Sequence, residues 1–248
     1  MTSTDGSESL GGLPPLRARH ALLVFTSPRA LFRRIEDTPA YGGALAILLV
    51  LVALIGYAEV QTGLIDRAVQ REIAAQKAEI EKGQREVIDR VELKKQLEDI
   101  DKGATFKTLM ARIVAVVVSP VYFLASILVV ASCLYALVAL TGRKPEYHSL
   151  VSICVYAEFV ELAAFGLRLL MMFAYRTRTV ETSLGLLANS KGWAWLAAID
   201  PFRVWFWVLV AVGATLTHQL SRRMAIAACV VMGLLAMAAR AAMQYLGV

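Results

Sequence analysis

The stretch GGALAILLVLVALIGYAE, residues 42–59, carries no charge before its last residue. About 20 apolar residues cross a hydrocarbon core of roughly 30 Å. Over that distance a lone segment satisfies its own backbone only as an α-helix. Residues 42–60 therefore read as a first membrane span, and four more runs of the same kind follow. Residues 120–141 open with Ser119-Pro120, and residues 201–220 open with Asp200-Pro201. In both, a capping residue precedes a proline suited to the first helical position. The remaining two runs are 150–175 and 224–246. The expected fold is all-α: a polytopic membrane helical bundle of five transmembrane helices, the last four forming a unit over 109–248.

Composition agrees with lipid as the solvent. Of 248 residues, 58% are hydrophobic and 19% charged, against about 45–50% and a quarter in soluble domains. An ordinary cytosolic enzyme is excluded as the starting assumption. The net charge is +6, but many of its basic residues sit at the ends of apolar runs, where topology uses them, so no nucleic-acid partner is expected. Residues 1–20 are polar, with no secretory signal pattern; a disordered tail is expected there, and the first run is expected to be an uncleaved anchor. Cys133, Cys154 and Cys229 all sit inside apolar runs without CxxC-type spacing, so neither a disulfide nor a metal site is expected. There is no HExxH, GxSxG, P-loop or GxGxxG. No catalytic residue or cofactor is expected, and the protein reads as a non-enzyme.

Orientation follows from Lys and Arg in short flanking segments. Arg17, Arg19, Arg29, Arg33 and Arg34 precede span one; Arg143 and Lys144 join spans two and three; Arg222 and Arg223 join four and five. Five crossings put all three segments on one side, expected to be cytoplasmic, with the C-terminus outside. Trp193, Trp195, Trp205 and Trp207 would form an outer aromatic belt, and His148 and His218 fall near membrane ends, the latter read as interfacial.

Two flanks have patterns of their own. Within 21–41, Leu31, Phe32 and Ile35 share one helical face bordered by arginines. This fits either a helix lying on an anionic leaflet or a plain basic flank that sets topology. Residues 61–108 hold ten basic and ten acidic residues. Ile65, Val69, Ile73, Ile80 and Val87 recur there at four- and seven-residue steps, the pattern of a charged helical hairpin inserted between spans one and two and turning near Gly83. It reads as an extracytoplasmic spacer or as a docking arm, with that stripe meeting the partner.

Span three contains Glu158, Glu161 and Arg168 on one stripe. Intramembrane charges are costly and face other helices or water. Arg168 lies about 10.5 Å along the axis from Glu161, so it is expected to join Asp200, Arg203 and Arg240 in an outer cluster. The glutamates are left without a basic partner at their depth, and spans one, two and five offer them almost no polar groups. Interhelical polar contact is favoured over a transport path.

Three segments together resemble the Yip1-domain family, in its bacterial type: TSPRALFRRIED before span one, YHSLVSICVYAEFVELAAFGLRLL in span three, and IDPFRVWFWVLVAVGATL opening span four. Ile199, Asp200, Phe202 and Trp205 match a characteristic entry into that span. The likeness covers about residues 21–246, and the insertion at 64–102 departs from it. Eukaryotic members act in membrane trafficking with small GTPases, and some bacterial members accompany ABC-type exporters of the MacB kind. The resemblance therefore implies an inner-membrane accessory or scaffold subunit with other membrane proteins, including ABC transporter subunits, as partners. The alternative is a small channel or transporter using the glutamates of span three.

Overall fold

The computed structural model describes residues 22–37, 40–83, 90–175 and 200–245, and every element among them is helical. The 1–20 tail, Val87, Trp193 and Trp195 lie outside the described residues, as does the side chain of Arg240. A short turn of helix, α1 (Leu23–Thr26), leads into α2 (Pro28–Asp37) and then α3 (Gly42–Gln61). Two charged helices follow, α4 (Leu64–Gly83) and α5 (Arg90–Ile113). The apolar bundle continues with α6 (Ser119–Leu140), α7 (Tyr147–Tyr175), α8 (Pro201–Thr217) and α9 (Arg222–Tyr245). Three described helical stretches are long and apolar enough to cross a membrane: α3, the continuous Lys94–Leu140 helix, and α7. At 17 residues α8 is a shorter apolar helix.

The bundle is organised around α7, where every residue from Ser149 to Val160 is buried. Around it pack α3, α6 and α8, and α9 lies on the far side of α8. Each neighbour offers one narrow stripe: Leu48, Val52 and Gly56 from α3, and Ile127, Ala131, Leu134 and Val138 from α6. Steps of three and four residues keep these on a single face. The opposite faces are apolar and bare: Leu54, Val121, Val129, Leu140 and Leu170 are each more than half exposed. So much uncovered apolar surface suits a protein whose surroundings are hydrocarbon. There, close packing and polar contact drive helices together. Gly213 of α8 meets this demand, since a Cβ there would fall 2.6 Å from Ile153 Cγ2.

One expected boundary is absent. Ser119-Pro120 does not begin a helix; the chain runs helically from α5 into α6 through a π-turn, Val114–Val118. Pro120 has no N–H and its ring crowds the carbonyl four residues back. The wider turn absorbs both faults: the Ser119 N–H and, at 3.2 Å, its Oγ–H donate to the Val114 carbonyl. Here α3 crosses so closely that a methyl group on Gly56 would overlap the Ala115 carbonyl.

The apolar face of α2 does not lie on lipid, the first of its two readings. Leu31, Phe32 and Ile35 are fully buried, because α2 packs onto α8 and α7. The face meets protein rather than lipid, and the arginines remain outside.

Candidate functional site

Charged residues from two helices converge at the C-terminal part of α7. Glu158, Glu161 and Arg168 share one stripe, and α8 runs antiparallel beside it, placing Asp200 opposite Arg168. Arg168 Nη2 lies 2.7 Å from Asp200 Oδ2. The other oxygen of the same carboxylate, Oδ1, accepts the Phe202 N–H at 3.0 Å and so caps α8. One side chain thus starts a helix and ties it to its neighbour.

One turn deeper, Arg203 Nη1 lies 3.3 Å from Glu161 Oε1, with both side chains about 85% buried. For Glu161 this corrects the expectation that the glutamates have no basic partner at their depth. Along α7 the offset from Arg168 to Glu161 is about 10.5 Å; Arg203 starts about 4.5 Å inward of Asp200, and the arginine side chain covers the rest. Its guanidinium also lies 5.5 Å from the Phe206 ring centroid, a favourable position for a cation. Glu158, 1% exposed, accepts a hydrogen bond from Ser126 Oγ at 3.3 Å. Span two therefore does offer polar groups to the glutamates; single serines in an apolar run gave no periodic signal of it.

Ser126, Glu158, Glu161, Arg168 and Arg203 line a cavity of about 330 Å³ between α6, α7 and α8, with Ser119, Tyr122 and Phe123 on the α6 wall. Chemically it is an acid-and-base-lined recess in an apolar surround, where hydrogen bonds and ion pairs are stronger than in water. Arg203, Glu161, Arg168 and Asp200 are brought together, with Glu158 about one turn nearer the start of α7. The backbone of Arg240 lies in α9.

The second candidate site is the α4–α5 pair. Arg112 pairs with Asp66 at 2.6 Å, Lys107 with Glu72 at 3.9 Å and Lys77 with Asp101. The partner number falls along α5 as it rises along α4, so the helices are antiparallel. The Arg112 guanidinium, by hydrogen bond and by charge, holds the Asp66 carboxyl below its ordinary range. Ile65, Val69 and Ile73 are buried against Ile100, Ala104, Ala111 and Ala115. They form the seam of the pair itself, which corrects their reading as a partner-docking stripe. Exposed helices need an apolar contact to persist, and here α5 supplies it. Ile80 is half-buried near the end of α4.

At the opposite end of α7 from the cavity, His218 is buried at the C-terminal end of α8. Its carbonyl accepts from Arg143 Nη1 at 2.9 Å, and its Nε2 accepts the Glu146 N–H at 3.3 Å. Tyr41 stacks on His148, and Tyr156 Oη donates to the Ala40 carbonyl. The ends of α6 and α8 and the starts of α3, α7 and α9 meet here. The cysteines are free: Cys154 and Cys229 buried, Cys133 exposed.

Bare apolar helices around a buried, charge-bearing one define a helical integral membrane protein. The chain belongs to the Yip1-domain family: the model of the Yip1 domain matches residues 22–243. No curated protein and no solved structure matches it.

Proposed function

We propose that this protein is a non-enzymatic accessory or scaffold subunit of a larger inner-membrane complex, with the α4–α5 pair as its docking arm. The observation that carries the reading is the uninterrupted helix from α5 into α6. It fixes a charged two-helix arm rigidly to the bundle, as a platform for another protein requires. The arm's apolar residues close its own seam, so its contact surface is the charged exterior, with Arg71, Glu79, Glu98 and Asp99 among its groups. An ABC-type exporter of the MacB kind is the partner that the family resemblance implies. Five spans, with the N-terminus cytoplasmic and the arm outside, are part of the same reading. It is supported by Arg29, Arg143, Lys144, Arg222 and Arg223 gathering at the end of the bundle away from the arm.

Deleting residues 66–101 tests this. The truncated protein should still insert, and a membrane partner that co-purifies with the full chain in mild detergent should be lost. Retention of that partner overturns the docking role. The cavity beside Glu158 favours a second reading, a small transporter. Arg203 and Asp200 already engage charges at that cavity, which weighs against an open path. Flux into vesicles that falls in Glu161→Gln would revive it, and no flux above empty vesicles dismisses it.

A further inference from the structure

A groove of about 650 Å³ runs between α8 and α9, on the side of α8 away from the charged cavity. Its walls are almost wholly apolar. Val204, Val208, Ile226, Val230 and Leu234 line it while each remaining more than a third exposed. Its floor is kept low by Ala211 and by Gly233, where an added Cβ would lie 3.1 Å from Trp207 Nε1. From Val204 to Leu216 the groove follows α8 for about 18 Å, close to the roughly 15 Å depth of one hydrocarbon leaflet. Thr215, Leu216 and Arg222 lie at one end, and Arg29 reaches the groove from α2. Neither arginine forms an ion pair with any described residue.

We propose that this groove holds one anionic phospholipid, an acyl chain lying between α8 and α9 and the phosphate held by Arg29 and Arg222. The apolar channel matches a single leaflet in length, and among the described residues that line it the only charges are these two arginines. A partner's transmembrane helix would meet two guanidiniums with no counter-charge in the groove; a phosphodiester supplies that charge and fits the arginine fork. A neutral lipid would fill the channel equally well, so the arginines should appear as headgroup preference. The inference is independent of the docking arm: it concerns the face between α8 and α9 and needs no protein partner.

Trp207 is the reporter, because it lines the groove. Full-length protein is reconstituted in phosphatidylcholine vesicles containing brominated-chain phosphatidylglycerol or brominated-chain phosphatidylcholine. The Trp207 signal is taken as the difference between the protein and its Trp207→Phe variant. Quenching by the anionic lipid should reach half-maximum at a mole fraction at least about fivefold lower, the factor that one guanidinium near a membrane surface supplies. Arg29→Gln/Arg222→Gln should bring the two curves together with helicity unchanged. Lys144→Gln, which removes a charge from the same end but outside the groove, should leave them apart. Equal curves in the unaltered protein overturn the proposal, as does a preference that survives the double substitution. So do a loss of preference in Lys144→Gln, which would mean bulk surface charge alone, and quenching by neither lipid, which would mean protein covers the groove.

Discussion

Helices α6 and α7 lie side by side and are treated in opposite ways. The Lys94–Leu140 helix is the more apolar, yet only 11% of its most apolar stretch is buried. The less apolar α7 carries two glutamates and an arginine, and 72% of its stretch is buried. In water the ranking would be reversed. Hydrocarbon gives apolar side chains no reason to hide, whereas a charge there costs several kcal/mol unless it finds protein or water. The centre of this molecule is thus chosen by its polar residues.

The largest test of that contrast is to break an ion pair. Arg203→Leu leaves Glu161 buried without its guanidinium partner and should lower stability by about 3–5 kcal/mol. Adding Glu161→Leu should recover most of the loss. Thermal unfolding in one detergent measures both; a double variant no better than the single would show that the charges do not select the central helix. Next comes a matched pair of truncations. Leu150→Ala, at a fully buried site in α7, should cost about 2–4 kcal/mol. Val129→Ala, on the bare face of α6 and 61% exposed, should stay within about 0.5 kcal/mol. Equal losses would erase the contrast.

The smallest effect concerns the arm, which is outside the comparison and sharpens it by answering to water. The Asp66 carboxyl titrates below its ordinary value of 3.8. Its pairing with Arg112 is therefore fully present above that pH and is lost as pH falls through the lowered value. The α4–α5 pair should loosen slightly below about pH 4, read as amide exchange in residues 64–83. Asp66→Asn should remove the pH dependence.

Much of this architecture was legible because length and apolarity are direct signals. The runs at 42–60 and 150–175 and the Asp200-Pro201 start of α8 needed no tertiary information. Ser119-Pro120 misled because a cap followed by a first-turn proline and a proline absorbed by a π-turn are spelled alike. The stripe at Ile65, Val69 and Ile73 was visible, but a stripe does not say what covers it; α5 does. At the cavity, spacing placed Glu158, Glu161 and Arg168 on one face. The pairing of Glu161 with Arg203 was missed because rise along one helix ignores how far a neighbour's long side chain reaches across. Ser126 could be assigned only once α6 and α7 were side by side.

The unbroken helix from Arg90 to Leu140 has a mechanical consequence. With no loop between α5 and α6, the close crossing of Gly56 and Ala115 acts as a fulcrum. The limb from Ala115 back to Arg90 is about 37 Å long. A 5° swing about that crossing moves its tip by about 3 Å and turns α6 the other way. Force applied at the tip is delivered as torque beside the glutamate recess.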